Sequence, residues 1–243
     1  MANATCTRLD RRETPLGRSS RTGRVWRLSP SDLTFLYASC RRCFYLKHAH
    51  RSPRPQSPFP TIFRTIDGAI KRGISGTRSE DLLAGAPPGE ITHVDRWVRS
   101  APWHPRGSAS ACVVRGRIDA AIAADGGGLV VIDFKTTEPK PDHAAFYARQ
   151  LEAYAHALEH PATGVPAPVT GTGLVVFSPE NFEVRGGTAS LSGALRWQEV
   201  PRDPLGFETV MGEAVALLDA PEAPPPAPGC PWCMASVPST LVA

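Results

Sequence analysis

The chain has 243 residues, of which 42% are hydrophobic and 21% charged, with a formal net charge of +4. A chain of this length buries enough surface to fold as one large domain or two small ones without disulfides. It contains no apolar run near the ~20 residues of a membrane helix, and no apolar segment typical of a signal peptide follows the first arginines. These features disfavour a membrane protein, a secreted protein and a fully disordered one, so we expect a cytoplasmic protein.

The positive charge is concentrated near the N-terminus. Arginines dominate residues 1–54, where acidic residues are few. Such a segment suits binding to a phosphate backbone, and it equally suits a solvated, disordered arm. We interpret residues 1–25 as a basic disordered tail, residues 26–220 as the folded domain, and residues 221–243 as a proline-rich linker with a C-terminal cysteine segment.

The predicted elements mix helices and strands. Ser29 and Pro30 open an amphipathic helix that fades near His48, because a capping serine and a first-turn proline precede apolar residues at steps of three and four. Residues 74–108 show no clear pattern. The other predicted elements, in chain order, are a helix at 61–72, a strand at 112–123, a Gly-rich turn at 125–128, a strand at 129–136, a helix at 141–159, strands at 173–177 and 194–200, and a helix at 207–218. This order predicts an α/β fold with a mixed sheet flanked by helices.

The charged triplet Asp133-Phe134-Lys135 ends an otherwise apolar strand. Side chains two apart on a strand share a face, so Asp133 and Lys135 project together. If the preceding turn centres on Gly126, Asp119 lies opposite Asp133 on the neighbouring strand. Two carboxylates beside a lysine suit a hard divalent cation and metal-assisted phosphodiester hydrolysis. For the triplet alone, an ordinary salt-bridged strand end is the alternative interpretation.

The helix after this strand adds two polar candidates. Gln150 and Tyr154 are four residues apart and therefore share a face of the helix. Taken alone, they are more typical of a core aromatic side chain and its solvated neighbour than of a functional site.

Cysteines form two C-x-x-C pairs, Cys40 with Cys43 and Cys230 with Cys233. Without secretory context, such pairs indicate metal or redox chemistry before disulfides. Zinc or an iron–sulfur cluster would each take four thiolates. Independent buried thiols and a C-x-x-C redox protein are the alternatives. We expect Cys112, at a strand start, to belong to the core.

The ordered motifs resemble the core of the PD-(D/E)XK nuclease superfamily. The likeness is to its RecB-like branch, which includes the CRISPR-associated iron–sulfur exonucleases and the helicase–nuclease repair subunits. Its motifs G-x-x-D, D/E-x-K and Q-x-x-x-Y match Gly116 to Asp119, Asp133 to Lys135, and Gln150 to Tyr154. Residues 28–46 also resemble the branch's N-terminal helix with its leading cysteine.

The resemblance implies a restriction-endonuclease-like mixed β-sheet flanked by helices, with a cysteine-bound metal clasp joining the N- and C-terminal segments. It implies that Asp119 and Asp133 bind Mg²⁺ or Mn²⁺, that Lys135 is the catalytic lysine, and that Gln150 and Tyr154 contact the DNA or position the site. The implied function is a DNA nuclease, an exonuclease by analogy, in DNA repair, recombination or CRISPR- or phage-related processing. The implied partners are single-stranded DNA or duplex ends and a helicase or integrase, with no membrane partner.

One departure from the family pattern concerns the metal site. The branch often has a metal-binding histidine three residues after a glycine in the helix before the hairpin, where this chain has Gly68 and Lys71. A charged lysine cannot bind a cation, so either the site has two side-chain carboxylates or Asp67 contributes a third. A nucleic-acid-binding module that keeps the fold without turnover is therefore the alternative function.

A second departure concerns the cysteines. Iron–sulfur members of the branch usually have one early and three late cysteines, whereas this chain has two and two. The four thiolates would bind a [4Fe–4S] cluster or, alternatively, Zn²⁺.

Overall fold

The structure, a computed structural model, describes residues 23–54, 60–138, 140 and 142–235. Most of the predicted basic tail and the last residues of the C-terminal segment lie outside these ranges. The end of the predicted tail belongs to the fold, because the backbone N–H of Arg24 donates to Ser110 Oγ at 3.0 Å and Val25 begins the first strand. Arg24 and Val25, which the prediction assigned to the tail, are therefore part of the fold.

Strands in the described residues form two sheets. They are β1 (Val25–Leu28), β2 (Gly89–Thr92), β3 (Trp97–Arg99), β4 (Ala111–Arg117), β5 (Ala120–Ala124), β6 (Leu129–Thr136), β7 (Val169–Arg185) and β8 (Thr188–Val200). A three-stranded sheet has the order β1-β4-β3, and a five-stranded sheet has the order β2-β5-β6-β7-β8. The β1–β4 and β6–β7 pairs are parallel and the other pairs antiparallel. This mixed α/β architecture confirms the predicted fold class.

Helices flank both sheets. They are α1 (Tyr37–Ser39), preceded by a π-helical turn (Asp32–Leu36), α2 (Arg41–Ala49), α3 (Thr61–Ile74), α4 (Ser79–Leu82), α5 (His143–Glu159), α6 (Pro204–Asp219) and α7 (Pro231–Ala235). The prediction of one continuous N-terminal helix is wrong at Cys40, whose extended backbone (φ −161°, ψ 106°) separates α1 from α2. In the described part of the chain, no helix has the length and apolar character needed to cross a membrane.

The predicted strand at 112–123 is two strands of different sheets. Between β4 and β5, the N–H of Ile118 donates to the carbonyl of Arg96 at 3.0 Å, and the carbonyl of Asp119 accepts from the N–H of Asp95 at 2.9 Å. The chain thus crosses from the smaller to the larger sheet at Asp119. The alternation of buried and exposed side chains does not reveal this crossing, because it continues through the junction: Ile118 and Ala120 are buried, whereas Arg117 is exposed.

Other strands also escape the sequence patterns. β2 and β3 are too short to establish a period of two in the pattern-poor region 74–108. β7 and β8 continue beyond the predicted strands as a hairpin with mostly exposed side chains. Exposed strands lack the apolar–polar alternation that marks a half-buried one.

The two faces of β6 bury different cores. Val131 packs in the larger core together with α5, whereas Ile132 and Phe134 pack in a smaller cluster with the end of α3. Because side chains alternate along a strand, Asp133 and Lys135 are on the same face as Val131. The predicted shared face therefore points toward α5.

Arg202, just after β8, fixes the orientation of α5. Its guanidinium donates to both carboxylate oxygens of Glu152, at 3.2 and 3.0 Å, and to Glu159 at 2.7 and 3.0 Å. Leu151 of the same helix is fully buried. With these ion pairs and this apolar anchor, α5 presents a defined polar face to the end of β6.

Candidate active site and metal centre

Asp119 and Asp133 lie together where β5 and β6 begin their antiparallel pairing. Ala120 pairs with Ile132, so Asp119 is the next position along from that pair, opposite Asp133. The register is the one expected from a turn centred on Gly126. Asp119 Oδ2 also accepts a hydrogen bond from the backbone N–H of Phe134 at 2.9 Å. This bond fixes one carboxylate beside the strand that carries the other.

Lys135 completes this group from the same face of β6. Its Nζ contacts Asp133 Oδ2 and lies 4.1 Å from the centroid of the Tyr147 ring. Burial opposes the charge on Lys135, but the Asp133 carboxylate outweighs it and raises the pKa of the lysine. Burial also raises the pKa of Asp133 to about 7, although Lys135 counteracts part of that shift. Ionising the buried Asp133 carboxylate is costly unless a cation lies beside it. The Lys135 ammonium is one such cation.

Gln150 and Tyr154 support this pair from α5. Nε2 of Gln150 donates to Asp133 Oδ1 at 2.8 Å, and both residues are buried. Tyr154 is also buried, and burial together with the nearby Asp133 and Asp119 charges raises the pKa of its hydroxyl. Gln150 thus binds Asp133 directly, and Tyr154 lies one turn further along the same helix.

Lys71 occupies the centre of a group of carboxylates on the other side of Asp119. Its Nζ lies 2.7 Å from Asp119 Oδ1, 2.8 Å from Asp67 Oδ2 and 3.0 Å from Asp95 Oδ1, and its side chain is only 4% exposed. Burial opposes the charge on Lys71, but these carboxylates, Asp119 foremost, raise its pKa. Lys71 is therefore an internal cation next to a predicted metal ligand.

Asp95 is a member of this group that the sequence analysis missed. It lies in the pattern-poor region between β2 and β3 and has a left-handed backbone, with φ of 53°. Its carboxylate also lies 3.6 Å from Nε of Arg117. No sequence motif marks it, because its place beside Lys71 depends on the pairing of distant strands.

The four paired cysteines meet at a second centre. Their sulfurs all lie within 4.8 Å of one another. The Sγ–Sγ distances are 3.8 Å for Cys40–Cys233, 3.7 Å for Cys43–Cys230 and 3.5 Å for Cys43–Cys233. The N-terminal pair comes from the α1–α2 corner and the C-terminal pair from α7 and the turn before it. The predicted clustering is confirmed, and the four thiols are able to bind a metal.

Electrostatics at the cysteine centre are uneven. Backbone hydrogen bonds from Ala227 and Cys43 outweigh burial and lower the pKa of Cys40 to about 6. Burial and the neighbouring sulfurs raise the pKa of Cys233 to about 12. Arg54 adds a positive charge, with its guanidinium 3.6 Å from the sulfur of Cys230. Neighbouring thiolates repel each other, so adjacent thiols resist losing their protons together. A bound cation offsets this repulsion.

Cys112 is separate from this centre. It is fully buried in the larger core, and burial raises its pKa to about 12. It is a core thiol, as predicted.

Comparison with known proteins identifies the family. Residues 75–236 match the family model of the PD-(D/E)XK nuclease superfamily, a range that contains Asp119, Asp133, Lys135 and the Gln150–Tyr154 pair. A solved structure described as "Crystal structure of SSO0001" is similar at a TM-score of 0.48 and 15% identity, covering 80% of this chain and 78% of that one. A search of curated proteins finds no match. The chain belongs to the PD-(D/E)XK nuclease superfamily.

Proposed function

We propose that this protein is a divalent-metal-dependent deoxyribonuclease that hydrolyses phosphodiester bonds. The observation that carries the proposal is the convergence of Asp119, Asp133 and Lys135 at one end of the β5–β6 hairpin, with Gln150 bound to Asp133. Two carboxylates from neighbouring strands and a lysine on the same face supply the oxygen donors and the positive charge that this hydrolysis requires.

The side chains at this position fit Mg²⁺ or Mn²⁺. Magnesium binds through one or two carboxylates together with water and substrate phosphate, and manganese favours the same oxygen ligands. Asp133 is buried and has a raised pKa, so a cation shared with Asp119 would favour the ionised form of Asp133. When bound, the ion would polarise the phosphate and acidify water.

Each of the five residues of this site then has a distinct role. Asp119 and Asp133 would hold the ion. Lys135 would offset the charge of the phosphate and hold the attacking water. Gln150 fixes the orientation of Asp133 through its 2.8 Å hydrogen bond. Tyr154 packs behind this pair and keeps the polar face of α5 in place.

The contacts of Lys71 support a site with two side-chain carboxylates. Asp67, the third candidate, lies 2.8 Å from the Lys71 ammonium, which already balances its charge. Asp67 therefore acts with Asp95 in holding Lys71 against Asp119.

Cleavage assays test this proposal directly. We expect the full chain to cleave labelled DNA with Mg²⁺ or Mn²⁺ and not in EDTA, and we expect Asp119→Asn, Asp133→Asn and Lys135→Ala to lose activity by orders of magnitude. Asp81→Asn, an exposed carboxylate of α4, is the matched control and should cleave normally. Wild-type cleavage by Asp133→Asn would contradict the assignment. DNA binding without cleavage under any of these conditions would favour a non-catalytic nucleic-acid-binding module.

The finer assignment is to the RecB-like branch and to exonuclease action in DNA repair, recombination or CRISPR-related processing. It is supported by the motif resemblance. A circular single strand distinguishes the modes of cleavage, because an exonuclease needs an end. We expect linear DNA to be degraded and the circle of the same sequence to persist, whereas cutting of the circle would indicate an endonuclease.

At the cysteine centre, the sulfur spacing favours a single tetrahedral ion, and we propose Zn²⁺. Zn–S bonds of about 2.3 Å place the four sulfurs of a tetrahedral site about 3.8 Å apart. Three of the Sγ–Sγ distances are 3.5 to 3.8 Å, and all four sulfurs lie within 4.8 Å of one another. A [4Fe–4S] cluster binds each thiolate to a different iron, so its sulfurs must be farther apart to enclose the cube.

Metal analysis and visible absorption decide the identity of this metal. We expect one zinc per chain and a colourless protein after anaerobic purification. A brown protein with four irons per chain would instead establish the [4Fe–4S] cluster that the family resemblance implies.

A further inference from the structure

A group of aromatic rings lies beside Lys135, which we call the aromatic patch: Phe35, Phe146 and Tyr147. Ring centroids are 5.4 Å apart for Phe35–Phe146, 5.9 Å for Phe35–Tyr147 and 4.9 Å for Phe146–Tyr147. Phe35 comes from the π-helical turn before α1, and the other two rings come from the first turns of α5. Two distant segments of the chain therefore meet to build the patch.

The patch is open to solvent, although its rings are apolar. Phe35 is 42% exposed and Phe146 is 49% exposed. The helical pattern of α5 places Phe146 on its apolar stripe, yet the structure leaves that ring on the surface. Exposed aromatic rings at adjoining positions of two elements contribute little to a core and are typical of a binding surface.

The location of the patch connects it to the catalytic group. The Nζ of Lys135 lies 4.1 Å from the centroid of the Tyr147 ring, and Tyr147 contacts both phenylalanines. A nucleic-acid strand whose phosphate lies at Lys135 therefore brings a neighbouring nucleotide close to the aromatic patch.

We propose that the aromatic patch binds an unpaired base of the nucleic-acid strand, next to the phosphate that is cleaved. Aromatic rings provide stacking surfaces for bases of any sequence, and this stacking is a main source of affinity for single strands. Bases inside a duplex are stacked on each other, so their faces are not available to the patch. The preferred substrate is then single-stranded DNA or the unpaired end of a duplex. This inference rests on the proposed nuclease function and specifies its substrate.

A nucleobase fits the patch better than a protein partner does. A stable protein interface buries about 800 Å² on each partner, whereas only two rings of the patch are substantially exposed. Two rings provide an area comparable to one or two bases. The nearby positive charge of Lys135 also complements the phosphate attached to such a base.

Fluorescence of 2-aminopurine tests the stacking. The probe is a single-stranded oligonucleotide with one 2-aminopurine, bound to the full chain in Ca²⁺ buffer, with a gel showing that the strand stays intact. The variant is Phe35→Ala with Phe146→Ala, whose side chains are both exposed. The control is Leu205→Ala, which removes a 78% exposed apolar side chain at the start of α6, near the opposite end of α5. A second oligonucleotide, abasic at the probed position, separates base contacts from phosphate contacts.

We expect the wild type and Leu205→Ala to quench the probe and the double variant not to quench it. Affinity of the double variant for the intact oligonucleotide should fall about fivefold to a hundredfold, while all three proteins bind the abasic strand equally. Unchanged affinity of the double variant would overturn the proposal, as would an equal loss toward intact and abasic strands. Failure of the nuclease function itself would look different, because the wild type would then not cleave DNA with Mg²⁺ or Mn²⁺, whatever the double variant does to binding.

Discussion

The ammonium of Lys71 lies 2.7 Å from Oδ1 of Asp119, a carboxylate proposed to bind the catalytic ion. Asp67 and Asp95 hold the same ammonium at 2.8 and 3.0 Å. Lys71 thus neutralises part of a dense negative group without any metal. Carboxylates held close together disfavour each other's ionised form, so this lysine allows the three to stay together without a metal ion.

Replacing Lys71 by methionine should make the fold more dependent on a divalent ion. The change leaves three adjacent carboxylates without their cation, and we expect a loss of about 1–3 kcal/mol in the free energy of unfolding. That is less than the ~3–5 kcal/mol for breaking a fully buried pair, because Asp67 and Asp95 are partly exposed and screened. Thermal unfolding in metal-free buffer and with MnCl₂ measures both effects.

The expected signature is a larger Mn²⁺-induced rise in melting temperature for Lys71→Met than for the wild type, because a bound ion can replace the lost ammonium. Lys140→Met, an exposed lysine, is the control and should behave like the wild type. Equal Mn²⁺ responses of Lys71→Met and the wild type would contradict the internal-cation role.

The β5–β6 hairpin could be predicted closely because its determinants are local. A Gly-rich turn fixes the register, and the alternation of side chains along a strand fixes the faces, so the places of Asp119, Asp133 and Lys135 follow from counting residues. The Lys71 group could not be predicted in this way. It joins α3, the β2–β3 connection and the β4–β5 junction, which are brought together by long-range packing.

The four cysteines of the centre could be predicted from the sequence, but the distances between their sulfurs could not. Two C-x-x-C pairs indicate a shared site, but only coordinates give the distances between sulfurs that favour a single ion. The break at Cys40 was also unexpected, because helical periodicity continues across it. The corner it creates allows Cys40 and Cys43 to approach the same point.

Gly116 is required for the close packing of Tyr154 against the sheet. A Cβ added at this position would lie 2.8 Å from Pro30 Cδ and 2.9 Å from Tyr154 Cε1. Overpacking of this kind costs about 1–3 kcal/mol. We expect Gly116→Ala to lower the melting temperature and to slow cleavage, since displacing Tyr154 disturbs the helix face that holds Gln150 against Asp133.

Gly126→Ala is the matched control for this substitution. A Cβ at Gly126 meets no atom within 4 Å, so this variant should melt and cleave like the wild type. If Gly116→Ala lost stability but kept full activity, Tyr154 would have no positioning role.

Lys135→Arg tests how the lysine participates. Arginine keeps the positive charge but does not release a proton, and its planar group needs more room beside Tyr147. If Lys135 acts on the attacking water, as we propose, cleavage should fall by roughly a hundredfold or more. Single-turnover cleavage, with Lys140→Arg as the control, gives the rate. Near-normal cleavage by Lys135→Arg would show that the lysine supplies charge alone.

Cys230→Ser should weaken the link between the two ends of the fold. Structural zinc contributes on the order of 10 kcal/mol, of which only a part is lost while three thiolates remain. We expect lower zinc content, a lower melting temperature and faster proteolysis of the C-terminal segment, while the remaining core stays folded. Cys112→Ala, which removes a core thiol outside the centre, should keep the metal. Unchanged metal content after Cys40→Ser and Cys230→Ser together would contradict the clasp.

His156 predicts a loss of stability in mild acid. This histidine is buried on α5, with its ring 4.9 Å from that of His160 and 5.8 Å from that of Phe207. Burial, assisted by the charge of His160, lowers its pKa from 6.5 to about 4. Between these values the unfolded chain binds a proton that the folded protein does not. Stability therefore falls as pH decreases through this window, by about 2 kcal/mol between pH 7 and pH 5 for this group alone.

His156→Leu removes this contribution, because leucine fills a similar space and does not titrate. We expect the variant to lose less stability than the wild type between pH 7 and pH 5, as measured by denaturant unfolding at both pH values. Release of the proposed metal from the cysteines in acid would be common to both proteins, so the difference between them isolates His156. Equal losses in the two proteins would mean that His156 is protonated in the folded state, which its apolar surroundings disfavour.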